Sequence, residues 1–79
     1  MIQNNVVFHK LKYWRGMLGI TQENMATLTG QTKSNYCLKE NGRITFKLCE
    51  MIIIKNAINE MLKNNGKPDI VTLDEIFLN

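Results

Sequence analysis

Few side chains in this sequence could do covalent or metal chemistry. His9 is the only histidine, so neither a histidine-based triad nor a multi-histidine metal site can form within one chain. Cys37 and Cys49 are too few for a disulfide framework, and their spacing matches no metal motif, so they read as two reduced thiols. No activated nucleophile, carboxylate pair or phosphate-cradling glycine loop is present. The expectation is a protein that is not an enzyme and needs no cofactor or metal. What remains is charge. Residues 1–47 carry seven basic side chains (Lys10, Lys12, Arg15, Lys33, Lys39, Arg43, Lys47) against Glu23 and Glu40, a net of +5. Residues 48–79 carry three basic and five acidic ones, a net of −2, and the whole chain has +3. A basic half joined to a mildly acidic half points to an anionic partner for the first half only.

The elements that must position these charges are helical. With 79 residues and 44% apolar content, the chain has the size of one domain and too much apolar surface for disorder. The only β-branched run, Ile52–Ile54, lies inside a longer helical pattern. No apolar run approaches the roughly 18 residues of a membrane span, and the start lacks the basic and apolar regions of a secretory signal. A cytoplasmic protein with no membrane partner is expected.

Five helices are predicted. The first spans about 5–18, capped by Asn4 or Asn5, with Phe8, Leu11, Trp14 and Leu18 at helical spacing and Gly19 as its stop. The second starts at Thr21, buries Met25, Ala26 and Leu28, and ends at Gly30. The third runs from a Thr32 cap to Glu40 and closes at Asn41–Gly42, two residue types that tolerate positive φ. The fourth spans about 46–64, with Leu48, Met51, Ile54, Ile58, Met61 and Leu62 on one arc. Lys47 and Lys55 fall inside that arc, Cys49 and Ile52 fall on the polar side, and Ile53 lies at its edge. Thr72–Leu73–Asp74–Glu75 has the form of a capping box, so a short fifth helix should dock Ile76, Phe77 and Leu78 on the core.

The second and third helices, joined by a very short turn at Gly30, have the dimensions of a helix-turn-helix unit. Ala26 is small enough for the third helix to cross closely over the second. Leu11–Lys12, Arg15, Gly19–Ile20–Thr21–Gln22–Glu23, Met25–Ala26, Gly30, Tyr36 and Glu40–Asn41–Gly42 resemble the phage-repressor family of helix-turn-helix proteins (Cro/CI-like, or xenobiotic-response-element, regulators). The resemblance covers residues 11–43, and the tail Leu73–Phe77 also resembles the ending of short members.

That resemblance implies a compact five-helix, all-α, lambda-repressor-like domain, one over residues 1–79. It also implies that residues 32–40 lie in the major groove of double-stranded DNA. The base-reading positions then fall on Lys33, Ser34 and Leu38, with Asn35 and Cys37 nearby. Lysine can donate to guanine, serine can donate or accept, and leucine can pack on a thymine methyl; core packing is the alternative for Leu38. Gln22, Thr32, Asn41, Gly42 and Arg43 fall at phosphate contacts. Lys10, Lys12, Lys39 and Lys47 are general electrostatic candidates. Arg15 and Glu40 match a structural ion pair. Lys39 departs from the family pattern, which carries a large apolar residue there, so its stem must lie over the core or the end of the third helix must pack differently. Trp14 stands where leucine is frequent.

The expected function is that of a sequence-specific transcriptional regulator, a repressor, of bacterial or phage origin and acting at the nucleoid. It would act as a homodimer, because one recognition helix reads too few bases. Ile52 and Ile53 are the dimer candidates. The alternative is a protein-interaction module on the same fold, as in antitoxin or antirepressor systems, with a protein partner gripped by the C-terminal half.

Overall fold

The computed structural model describes residues 7–67 and 70–78. It contains five α-helices: α1 (His9–Leu18), α2 (Gln22–Leu28), α3 (Lys33–Glu40), α4 (Leu48–Asn64) and α5 (Leu73–Phe77). The fold is all-α, and no strand occurs among the described residues.

Where a helix begins follows from local hydrogen bonding. The hydroxyls of Thr21, Thr32 and Thr72 accept from the backbone N–H groups of Asn24, Asn35 and Glu75. Each satisfies one of the donors that a helix start leaves without a partner. Glu75 completes the box by accepting from the Thr72 backbone N–H. The two starts that differ from expectation lack such a cap. The helix expected from residue 5 begins at His9, with Phe8 as its N-cap and no side-chain cap bond; Asn4 and Asn5 lie outside the described residues. Phe8 is held instead by its N–H bond to the Glu40 carbonyl and by edge-on ring contacts with Phe46 and Phe77. The helix expected from residue 46 begins at Leu48, because Phe46 turns its ring into the core and Glu50 reaches back to the Lys47 N–H.

Between α2 and α3, Gly30 takes φ of +70°, a conformation that a β-carbon penalises. At the end of α3 only Gly42 takes positive φ; Asn41 stays at −92°.

One core joins the helices. Leu11, Met25, Ala26, Tyr36, Ile54, Ile58, Leu62, Val71, Ile76 and Phe77 are buried together with Ile20 and Phe46. The rings of Tyr36, Phe46 and Phe77 form a run of edge-on contacts through it. Trp14 lies partly buried against the core, and its indole N–H donates to the Glu75 carbonyl, tying α1 to α5. Asn59 clamps the chain ahead of α5 by bonding both the N–H and the C=O of Val71.

Three apolar residues do not sit where periodicity put them. Leu28 is 47% exposed, Leu48 is 61% exposed and Leu78 is 61% exposed. Leu28 is the last residue of α2, Leu48 the first of α4 and Leu78 the extended C-cap of α5, and helical phase alone does not bury a residue at a helix end. Lys55 is half-buried at the edge of the α4 core face and Lys47 is exposed.

Candidate nucleic-acid interface

The inward side of α3 carries Tyr36, Lys39 and Glu40, all buried. Its outward side presents Lys33, Ser34 and Leu38, all exposed, Leu38 by 43%. Leu38 is therefore not one of the core residues.

The inward side is fixed by polar contacts as much as by packing. The Glu40 carboxylate has no exposed surface and accepts four hydrogen bonds. Arg15 donates through Nε to Oε2 at 2.9 Å and through Nη2 to Oε1 at 3.1 Å, so the ion pair expected of these residues is present and two-pronged. The Tyr36 hydroxyl donates to Oε2 at 2.7 Å, and Gln22 Nε2 donates to Oε1 at 3.0 Å. Burial alone would raise the Glu40 carboxyl, but the bonds from Arg15, Tyr36 and Gln22 outweigh it and hold the group below the usual carboxylate range. Burial, then the neighbouring Glu40 charge, push the Tyr36 phenol far up. Arg15 also donates to the Ile20 carbonyl, so α1, the loop before α2, and α3 meet at one guanidinium.

A second ion pair, outside the sequence-based expectations, joins α3 to α4. Lys39 is 4% exposed, and its ammonium lies 2.7 Å from both carboxylate oxygens of Glu50. Lys39 is therefore withdrawn from the general electrostatic candidates. Its stem lies in the core and its charge is spent on the first turn of α4. Desolvation pushes the Glu50 carboxyl up, but the bonds from Lys39 and from the Lys47 N–H prevail and hold it low. The sequence signal was available: a lysine on the buried side of α3 demands a buried acid, and Glu50 lies next to the apolar arc of α4.

The expected phosphate and base contacts separate into free and occupied groups. Lys33, Thr21, Gln22 and Glu23 border a depression of about 640 Å³ at the start of α2. The Gln22 amide group is turned inward to Glu40 and to the Cys37 sulfur, so the phosphate contact expected of its side chain is not the one it makes here. The Asn35 side chain donates to Gln31 Oε1 at 2.7 Å, so its amide donor is not directed outward. Thr32 is exposed, with its hydroxyl capping α3. At the other end of α3, Asn41 accepts from Lys12 Nζ at 2.9 Å and donates to the Cys37 carbonyl at 3.0 Å. Gly42 is half-buried and Arg43 exposed. The Arg43 N–H donates to the Leu38 carbonyl at 2.8 Å, folding the chain back beside the end of α3. Lys10 and Lys47 are exposed, as is His9.

Comparison with protein-family models, with curated proteins and with solved structures finds no match for this chain.

On α4 the exposed residues Leu48, Cys49, Ile52 and Ile53 are neighbours at i, i+1, i+4 and i+5, preceded by exposed Ile44. Ile52 and Ile53, the dimer candidates, are each 39% exposed. Cys37 and Cys49 are free thiols. Among the described residues no group of three or more His, Cys, Asp or Glu could hold a metal ion, and no helix is long and apolar enough to cross a membrane.

Proposed function

We propose that this chain is a sequence-specific DNA-binding regulator of the phage-repressor helix-turn-helix type, a repressor that reads the major groove with α3. The observation that carries the reading is the two-sidedness of α3. Its inner side is anchored by Arg15–Glu40 and Lys39–Glu50, while its outer side offers Lys33, Ser34 and Leu38 to a partner. A helix bearing one cation and a hydroxyl in its first turn, with exposed Arg43 just past its end, is complementary to base edges between two phosphate backbones, and exposed Lys10 and Lys47 add positive charge elsewhere on the surface. With Lys39 neutralised internally, the field offered to DNA comes from the remaining lysines and Arg43. In this reading the protein acts at the nucleoid of a bacterium or of a phage-infected cell.

The protein works as a homodimer in this reading, and half-sites of such dimers lie about 34–36 Å apart. The apolar surface at Leu48, Ile52 and Ile53 supports self-association. The same surface favours a second reading, a module that grips another protein, either alongside or instead of DNA.

The test is an anisotropy titration against a randomised duplex library at two salt concentrations. Specific binding should survive competitor DNA and weaken steeply with salt. Lys33→Ala and Ser34→Ala should alter sequence preference, whereas Arg43→Ala should weaken all sequences alike. Loss of all sequence preference after selection, together with stoichiometric recovery of one protein partner, would replace the regulator reading with the interaction module.

A further inference from the structure

A depression of about 470 Å³ lies beside the outward end of α3, lined by Val7, Cys37, Leu38, Asn41 and Arg43. Its volume admits the edge of a base. Its polar groups are largely spent inside the protein. The Cys37 sulfur already receives N–H groups from Gln22 at 3.4 Å and Asn41 at 3.7 Å, and the Asn41 amide is engaged by Lys12 and by the Cys37 carbonyl. The exposed hydrocarbon of Leu38 remains, with the Arg43 cation beside it and no carboxylate among the lining residues. The backbone N–H groups of Arg43 and Ile44 both donate to the Leu38 carbonyl, at 2.8 and 3.4 Å, so this wall is built by the fold.

An apolar spot bordered by a cation and set on the outward side of α3 fits one feature of duplex DNA. The only apolar group displayed in the major groove is a methyl on carbon 5 of a pyrimidine. We propose that the Leu38 depression is a receptor for that methyl group, whether it belongs to thymine or to 5-methylcytosine, so that binding responds to cytosine methylation at one position of the site. The inference rests on the DNA-binding reading above.

The experiment uses the full chain and the fluorescein-labelled duplex recovered by library selection. Each thymine of a half-site is replaced in turn by uracil, which removes the methyl and keeps every hydrogen-bonding group. At the position so found, cytosine and 5-methylcytosine are compared in an otherwise identical duplex. The wild type should lose about fourfold in affinity on T→U at one position, the worth of about one buried methyl group. It should gain by a similar factor on cytosine methylation. Leu38→Ala and Leu38→Asn should bring both ratios close to one, and Leu38→Met should retain them. Binding of a selected duplex with no methyl-dependent position, or a methyl dependence that persists in Leu38→Ala, overturns this inference and leaves DNA binding standing. Failure to select any duplex overturns both.

Discussion

The Lys39 ammonium contacts both oxygens of the Glu50 carboxylate at 2.7 Å, linking the last turn of α3 to the first turn of α4 in a nearly dry setting. Two charges removed from water recover their solvation cost only through each other and through added hydrogen bonds, here the Lys47 N–H on Glu50. Breaking the pair should therefore cost more than replacing it. Lys39→Ala or Glu50→Gln should each destabilise by about 3–5 kcal/mol, the range for a buried charge left without its partner. The double variant Lys39→Met/Glu50→Leu should lie within about 1 kcal/mol of wild type or above it. Urea unfolding of the four proteins measures both, and additive single-site losses in the double variant would show that the pair is not coupled.

Acid should unfold the domain through the same carboxylates. Glu40 and Glu50 are both held below the usual carboxylate range in the folded state. A group whose folded pKa is depressed adds stability above its unfolded value of about 4.3 and loses it as pH falls through the folded value. Stability should be flat with respect to these two groups above about pH 5 and fall progressively below about pH 4. The Lys39→Met/Glu50→Leu variant lacks one of the two contributions, so its stability should fall less steeply on acidification. Melting temperatures between pH 3 and 6 provide the check, and equal slopes for the two proteins would remove Glu50 from the explanation.

Tyr36 offers a narrower test of the Glu40 network. Its hydroxyl donates to the carboxylate at 2.7 Å in a fully buried setting. Tyr36→Phe keeps the ring contacts with Phe46 and removes only that donor. The expected loss is about 1.5–3 kcal/mol, as for a hydrogen bond to a charged group. It should arise with little change in the denaturant slope, since the surface exposed on unfolding is unaltered.

What the sequence made legible follows from the range of each interaction. The starts of α2, α3 and α5 and the turns at Gly19, Gly30 and Gly42 are written in residues within three or four positions of the event. The starts of α1 and α4 lie a few residues beyond the positions that periodicity predicts, because Phe8 and Lys47 are not capping residue types and core contacts of Phe8 and Phe46 decide where the chain turns helical. Arg15–Glu40 was legible only through resemblance, and Lys39–Glu50 only as a problem, a charge on a buried face whose partner the tertiary fold supplies. Helical periodicity gave the phase of Leu28 and Leu48, but phase does not reveal which turn of a helix lacks a neighbour.

In the proposed homodimer, Leu48 joins Ile52 and Ile53 as the surface on which self-association should depend. These residues and Cys49 occupy adjacent positions on the first two turns of α4, where two helices crossing at a ridge would interdigitate. Charge placed there should separate the copies without unfolding either one, because none of these side chains is buried in the single chain. Ile52→Asp and Leu48→Asp should each lower self-association at least tenfold by sedimentation equilibrium, on the order of 1.4 kcal/mol or more. Their effect on the melting temperature at low protein concentration should be small. Binding to a full two-half-site duplex should weaken in parallel, while binding to an isolated half-site should be unchanged, because the second half-site is gained only through the partner copy. If full-site binding stays intact while self-association is lost, α4 does not hold the DNA-bound pair together.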